Sequence, residues 1–326
     1  MTTDQKVCEQ HFITHTTQQQ DGRYVVRLPT KMDPKELGSS RHSAERRLHA
    51  IERRLEREPE LKVQYHSFMK EYEELGHMEP TNSQQGRQTY YFLPHHPVFK
   101  VTSTTTKTRV VFDGSAKTDN GLSLNNILQE HPTVQQDLYS IVLRFKTHQV
   151  SFTADIAKMN RQINVHPQDR DLQRILWRYS SDETIQEYNL TTDGNSSAPY
   201  LATRCLKKQA DDNKCQYPRA AQVLSNDYYV DDLLSGTSTI EDAIKLQEEI
   251  ASLLQAAGFK LRKWASSHFT FLDNIPRELQ ETQQTLSPDN EEGVITIGFL
   301  WNPTNDQFQV KNNTTQVQPT HSTAST

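Results

Sequence analysis

The chain has 326 residues, of which 34% are hydrophobic, and a formal net charge of −5. No apolar run approaches the ~20 residues that a membrane-spanning helix needs, and the first residues lack a signal peptide's basic-then-apolar pattern, so we expect an intracellular protein without a membrane segment. Cys8, Cys205 and Cys215 form no C-x-x-C pair, which favours neither a disulfide framework nor a zinc site. Because the net charge is negative, any surface that binds nucleic acid must be local.

The first third of the chain predicts a connecting arm followed by two amphipathic helices. Residues 23–28 are a β-type run that Pro29 ends, so we assign residues 1–40 to an arm or an edge strand. Two groups of apolar residues then recur at helical spacing, and Gly76 is a suitable C-cap. They are Ala44, Leu48, Ile51 and Leu55, and then Leu61, Tyr65, Phe68, Tyr72 and Leu75. The charged faces of these helices could be solvated or could face nucleic acid.

The middle of the chain mixes strands and helices. Residues 89–113 contain the β-type runs TYYFL, VFKV and TRVVFD, with a turn at 94–97, and predict a small antiparallel sheet. Residues 122–147 suit buried helices that lead into a strand at 150–155, which ends on Asp155.

Arg170, Arg174 and Arg178 recur every four residues. In a helix they would form one basic stripe, which could follow template phosphates or simply pair with Asp169, Asp171 and solvent. Trp177 between them is expected in the core.

The last third predicts a helix from Ile240 to Ala257 that Gly258 stops, then a strand, FKLRKW. A final apolar run covers 293–301, and the polar residues 304–326 are expected to be disordered. Helices and hairpins interleave without a regular βαβ repeat, so the predicted fold class is α+β.

Two adjacent carboxylates, Asp231 and Asp232, stand between two β-type runs in the segment YYVDDLLSG. A tight hairpin turn can bring both acids to one spot, and Asp155 at the end of another strand could join them. Such carboxylates would make a hard-oxygen site for Mg²⁺, where two ions could activate a 3′-hydroxyl and stabilise leaving pyrophosphate. An Asp-Asp pair can also be only favourable turn chemistry.

Several motifs resemble, in the same order, the reverse transcriptase of BEL/Pao-type LTR retrotransposons. They are STTTKTRVVFDGSAKT (103–118), GLSLNN (121–126), FTADIAKM (152–159), SSAPYLATRCL (196–206), YVDDLL (229–234) and LRKWASS (261–267). The likeness runs from about Cys8 to Trp301. It implies a right-hand polymerase with an antiparallel palm sheet, fingers at 41–149, palm at 150–258 with a fingers insertion near 165–195, and the start of a thumb at 259–303.

The resemblance also implies ligands and residue roles. The polymerase would use Mg²⁺ or, in its place, Mn²⁺, together with an RNA or DNA template, a primer and deoxynucleoside triphosphates. Asp155, Asp231 and Asp232 match the catalytic, metal-binding acids. Arg109 matches the finger arginine that holds the incoming triphosphate, and Lys100 either matches its neighbouring lysine or only solubilises an edge strand. Tyr229 is assigned to primer or template, while Arg262 and Lys263 could contact primer phosphate or simply end a charged hairpin.

The nucleotide pocket departs from the family pattern at two places. Asn160 replaces the aromatic residue that excludes the ribose 2′-hydroxyl, so we expect poor discrimination against ribonucleotides. The turn at Leu190–Gly194 is altered, with the acid Asp193 before Gly194, and an anion there would repel a triphosphate.

We expect a fragment or a decaying copy of a retrotransposon polyprotein, because protease, RNase H and integrase are expected partners that the sequence does not contain. The expected location is a cytoplasmic retrotransposon particle, or the nucleus. Two other hypotheses stay open: a weak or inactive remnant that at most binds nucleic acid, and an interaction protein built on the helix pair.

Overall fold

The computed structural model describes residues 1–81, 89–99, 108–281, 284–285, 292–296 and 299–309. The helices are α1 (Thr3–His15), α2 (Arg41–Arg57), α3 (Pro59–Glu74), α4 (Leu124–Ile127), α5 (Leu138–Phe145), α6 (Ala198–Asn213), α7 (Pro218–Asn226), α8 (Ile240–Gln255) and α9 (Phe269–Leu272). The first strands are β1 (Thr17–Gln18), β2 (Tyr24–Val26), β3 (Met78–Pro80), β4 (His95–Phe99), β5 (Thr108–Phe112), β6 (Val150–Ile156), β7 (Asn164–Val165) and β8 (Arg174–Trp177). The others are β9 (Gln186–Leu190), β10 (Tyr228–Tyr229), β11 (Asp232–Thr237), β12 (Leu261–Ser266), β13 (Gln284–Thr285), β14 (Glu292–Thr296), β15 (Phe299–Asn302) and β16 (Gln307–Gln309). The α+β class is confirmed.

The N-terminal segment packs on the core instead of forming an arm. Thr2 and Gln5 make a capping box that begins α1, and the buried side chains Cys8 and Phe12 attach this helix to the rest of the molecule. Strand β2 pairs with β1 on one side and β7 on the other, so the prediction of an edge strand was wrong. Every side chain of β2 is buried, which explains its unbroken apolar sequence.

The predicted helix pair is confirmed as α2 and α3. Ala44, Leu48, Ile51 and Leu55 are all buried on α2. Gly76 follows α3 with φ +70°, a left-handed conformation that glycine adopts without a side-chain clash. On α3, Met69 is buried while Leu75 is exposed, so the apolar face is rotated slightly from the predicted one.

Among the described residues of the region 89–113, only β4 and β5 are strands, and the TYYFL run predicted as a third strand is not one. Of the TYYFL run, Phe92 only makes an isolated bridge with Arg174. The predicted turn at 94–97 lies inside strand β4, which pairs with β5 alone. Pro97 is compatible with this two-stranded ribbon because an edge strand leaves backbone donors unpaired.

The three arginines at fourfold spacing do not share a helix face. Residues 170–173 form a 3-10 turn and β8 follows at once. Arg170 pairs with Glu79 at 2.8 Å, Arg174 with Glu187 at 2.9 Å, and Arg178 with Glu52 at 2.6 Å. The basic stripe was therefore a wrong prediction. Of the two acids predicted as partners, Asp171 pairs with Arg174 at 2.8 Å, whereas Asp169 pairs with Arg27. The burial of Trp177 is confirmed.

A four-stranded antiparallel sheet in the order β10-β11-β6-β12 lies at the centre. Helices α5 and α8 both pack against β11. Gly258, with φ +78°, ends the turn after α8 as predicted. A smaller core joins α5 and this sheet to the β14–β15 hairpin; its buried members are Ile141, Phe145, Leu234, Ala265, Val294 and Trp301.

Part of the predicted disordered tail is a strand, because β16 pairs with β15. Residues 310–326 lie outside the described residues. In the described part of the chain, no helix is both long and apolar enough to cross a membrane. Cys8, Cys205 and Cys215 are free thiols.

Candidate active site

The central sheet brings the predicted acids together. In the antiparallel pairing of β11 with β6, Asp232 stands directly opposite Asp155, so their side chains leave the sheet on the same face. Asp231 immediately precedes β11, and its main-chain carbonyl accepts a hydrogen bond from the Ile156 amide at 2.9 Å. The three aspartates therefore meet at one end of β6, as the sequence predicts.

The turn that carries Asp231 has an unusual backbone. Tyr229 pairs with Asp232, which leaves Val230 and Asp231 as a two-residue hairpin loop. Val230 has φ +56°, as at the first central position of a type II′ turn, a place that glycine normally occupies. A β-branched residue is strained there, and such strain persists only where surrounding contacts hold it.

Side-chain hydrogen bonds hold this hairpin at its tip and at its base. At the tip, the Gln135 side chain binds the peptide groups of Val230. At the base, Arg144 Nε donates to Asp227 Oδ1 at 3.0 Å, and Ser235 Oγ donates to Asp227 Oδ2 at 2.8 Å. Gln135 was not predicted, because only the fold brings it near the turn.

Two cations lie against Asp155. Arg262, opposite Asp155 in the β12–β6 pairing, places Nε 3.2 Å from Oδ1, and Lys263 places Nζ 3.4 Å from Oδ2. Lys263 has φ +56° at the irregularity that interrupts this pairing. The structure thus places both residues at the acidic site itself, while the role predicted for them on primer phosphate stays a prediction.

The charge of the site suits a hard cation. Burial, together with the nearby negative charge of Asp155, raises the pKa of Asp231. The two carboxylates are therefore close enough to repel each other electrostatically. Among the described residues no group of three acidic, histidine or cysteine side chains is already arranged as a metal cage. The carboxylate oxygens nevertheless have the chemistry that Mg²⁺ prefers, and a dication would relieve their mutual repulsion.

The residues expected to bind the nucleotide lie on separate elements, unlike the three aspartates, which meet at one end of β6. Arg109 is exposed on β5, and Asn160 is half-buried on the 3-10 turn Met159–Gln162. Gly194 is exposed in the altered turn. Lys100 lies outside the described residues. Tyr229 on β10 is exposed beside the acids, as a primer or template contact requires.

Asp193 does not present its carboxylate to solvent, contrary to expectation. It is 3% exposed and accepts hydrogen bonds from the Asn195 amide at 3.1 Å and from Ser197 Oγ at 3.0 Å. Burial raises its pKa to about 6. The Asp193 carboxyl group therefore fixes the chain just before α6. It does not give this turn a strongly anionic surface.

Arg161, which follows Asn160, was also not predicted as a site residue. Its guanidinium lies 4.9 Å from the ring centre of Phe68 and 4.8 Å from that of Tyr72. The sequence signal is weak, since only its position beside Asn160 could have drawn attention to it.

No protein-family model matches the chain, and no curated protein matches it.

Proposed function

We propose that this chain is the polymerase core of a retroelement reverse transcriptase, an RNA-directed DNA polymerase. The observation that carries the proposal is the register that sets Asp232 opposite Asp155 and leaves Asp231 in the connecting turn. Three carboxylates from two adjacent strands form a site for divalent cations of the kind that nucleotidyl transfer requires.

The surrounding architecture supports this proposal. A right-hand polymerase needs a rigid platform for its acids, and β6 is buried along nearly all of its length between the neighbouring strands β11 and β12. We assign the palm to strands β10, β11 and β6, the fingers to α2, α3 and the β4–β5 pair, and the start of the thumb to the residues after α8, which include strand β12 at the edge of the palm sheet. Among the motifs that resemble those of BEL/Pao-type reverse transcriptases, FTADIAKM overlaps β6, YVDDLL covers the β10–β11 turn and LRKWASS covers β12, whereas GLSLNN lies at α4 and SSAPYLATRCL on α6.

In this function Asp155 and Asp231 would hold Mg²⁺, and Asp232 would support them. When bound, the metal would activate the primer 3′-hydroxyl and stabilise the charge of the departing pyrophosphate. Arg109 would bind phosphate oxygens of the incoming nucleotide. Asn160, a short side chain in place of an aromatic one, would leave the position of a ribose 2′-hydroxyl open.

Primer extension on poly(rA)/oligo(dT) with Mg²⁺, and in parallel with Mn²⁺, tests the proposal. We expect incorporation of dTTP by the wild type and at least a thousandfold loss in Asp155→Asn and Asp231→Asn, which is the scale of losing an electrostatic catalytic group. Asp182→Asn, which changes an exposed carboxylate away from the site, should leave the rate unchanged.

A second candidate, a remnant that binds nucleic acid without copying it, is favoured by Asn160. Absence of incorporation by the wild type, by Asn160→Phe and by a variant with a repaired 190–194 turn would reject the polymerase proposal. Retained binding of primer-template in those proteins would support the remnant.

A further inference from the structure

Strand β12 brings two adjacent side chains to the same carboxylate. Arg262 Nε lies 3.2 Å from Asp155 Oδ1, and Lys263 Nζ lies 3.4 Å from Asp155 Oδ2. Consecutive residues of a regular strand point to opposite faces of the sheet, so a regular β12 would bring only one of them to Asp155. Both reach it because the register with β6 shifts between Arg262 and Ala265, and Lys263 adopts φ +56°.

The backbone of Lys263 is held in an unfavourable conformation. A residue with a side chain is crowded in the left-handed region, and such a conformation persists only where surrounding contacts impose it. The next residue supplies such contacts: the Trp264 ring is buried, and its carbonyl accepts a hydrogen bond from the Glu281 amide at 2.9 Å. The irregularity in β12 is therefore a fixed feature of the fold that directs a second cation to Asp155.

The two cations lie where they would oppose a bound metal ion. The Asp155 side chain is only 15% exposed, and each of its carboxylate oxygens already faces a positive charge. Mg²⁺ binds carboxylate oxygens at about 2.1 Å, so at either oxygen it would come within about 6 Å of a positively charged side chain. Like charges at this separation repel each other in a partly buried site. A metal ion and the two side chains therefore compete for Asp155.

Both cations can leave Asp155 without opening the core. The side chains of Arg262 and Lys263 are 37% and 38% exposed, so each can turn toward solvent. Lys263 also has a second carboxylate within reach, because its Nζ lies 3.8 Å from Glu281 Oε2. Releasing Asp155 therefore requires side-chain rotation and no change in the strands.

We propose that Arg262 and Lys263 are displaceable counter-ions of Asp155, which set how tightly the acidic site binds its divalent cation. The proposal rests on the proposed function for the metal ion. In the metal-free protein the two side chains reduce the repulsion between Asp155 and Asp231, and they give up Asp155 when the metal binds. Contact with primer phosphate, the role predicted for both residues, would favour the same release, because a side chain bound to phosphate no longer neutralises Asp155.

Calorimetric titration with Mn²⁺, and separately with Mg²⁺, in the absence of nucleic acid tests the proposal. We expect Lys263→Gln and Arg262→Gln each to bind the metal about fivefold or more tightly than the wild type, because each removes one nearby positive charge. Asp155→Asn should lose binding, which assigns the titrated metal to this site. Lys245→Gln, which removes an exposed lysine on α8, is the matched control and should bind as the wild type does.

Equal affinities of the wild type and both glutamine variants would overturn the proposal and leave the metal site intact. Weaker binding by either variant would also overturn it, because that side chain would then support the metal instead of competing with it. No binding by any of these proteins would reject the metal site itself, and with it the proposed function. Metal binding that Asp155→Asn retains would place the ion elsewhere and reject both.

A measurement on the wild type covers the case in which Lys263→Gln fails to fold. The side-chain ¹³Cε signal of Lys263, assigned with Lys263→Arg, must shift when Mg²⁺ is added, because the ammonium group leaves Asp155. An unchanged signal at a Mg²⁺ concentration that saturates the site would reject the displacement.

Discussion

The side-chain amide of Gln135 binds both main-chain polar groups of Val230. The Val230 amide donates to Gln135 Oε1 at 2.7 Å, and Gln135 Nε2 donates to the Val230 carbonyl at 3.3 Å. Val230 is the residue with φ +56° that directs Asp231 toward Asp155. Arg144, on the helix that follows Gln135, binds Asp227 at the base of the same hairpin, so one short segment holds both ends of the element that carries the acids.

Gln135→Ala should reduce the rate of primer extension while leaving the protein folded. Without the Gln135 hydrogen bonds, the turn can relax from its strained conformation and displace Asp231. We expect the activation free energy to rise by about 1–1.5 kcal/mol, which corresponds to roughly a tenfold lower kcat. KM for the nucleotide should change little, since Gln135 contacts the hairpin and not Arg109, which is proposed to bind the nucleotide.

Gln136→Ala is the matched control, because Gln136 is exposed and adjacent in the chain. If both alanine variants extend primers at the same rate as the wild type, the Gln135 contact does not position the turn.

Asp231→Asn should stabilise the metal-free protein while it abolishes activity. Burial and the charge of Asp155 raise the pKa of Asp231, so ionising this carboxyl costs folding free energy, and stability is lost as pH rises through that pKa. A neutral amide removes this penalty at pH 7. In thermal unfolding with a chelator present, the variant should have a higher Tm than the wild type. Adding millimolar Mg²⁺ should raise the Tm of the wild type but not that of the variant.

Asp182→Asn should respond to Mg²⁺ as the wild type does. A Tm of the wild type that Mg²⁺ leaves unchanged would contradict the metal site, whatever the activity assay shows.

The features predicted correctly were those that depend on periodicity or on neighbours in sequence. The helical spacing of Leu48 and Leu55 on α2 needs only burial of one face, and the meeting of Asp231 with Asp155 needs only a tight hairpin beside a strand end. Helix α1 was missed because only Cys8 and Phe12 are buried on it, too few to produce an apolar stripe.

Contacts between distant segments could not be predicted. Gln135 reaches Val230 across 95 positions, and Arg178 reaches Glu52 across 126. The fourfold spacing of the arginines suggested a helix, yet pairing between β8 and β9 determined the local structure instead, as tertiary contacts commonly override local propensity. Asp193 was placed on a pocket surface because it stands where the family's turn has an aromatic residue, whereas Asn195 and Ser197 bind it in the interior.

Asn160→Phe should improve discrimination between deoxyribonucleotides and ribonucleotides. An aromatic ring at this half-buried position would fill the space beside the sugar and clash with a 2′-hydroxyl. In primer extension with dTTP and UTP, we expect the wild type to incorporate both and the variant to prefer dTTP by about tenfold or more, the scale of one steric contact.

Asn160→Ala removes the amide without adding bulk and should discriminate as poorly as the wild type. A strong preference for dTTP in the wild type would contradict the role given to Asn160.

Asp193→Asn should make the protein more stable at pH 7.5 and less sensitive to pH. Burial raises the pKa of Asp193 from 3.8 to about 6; for an acid, a raised folded-state pKa means that stability is fully present below the unfolded value and is lost as pH rises through about 6. Asparagine can still accept a hydrogen bond from the Asn195 amide and share one with Ser197. We therefore expect a gain of about 1–3 kcal/mol in unfolding free energy at pH 7.5. Urea unfolding of both proteins between pH 4 and pH 8 measures the difference in unfolding free energy between variant and wild type. This difference should become smaller toward pH 4. A variant that is less stable than the wild type at pH 7.5 would mean that Asp193 is held as a carboxylate by its hydrogen bonds, against the direction that burial imposes.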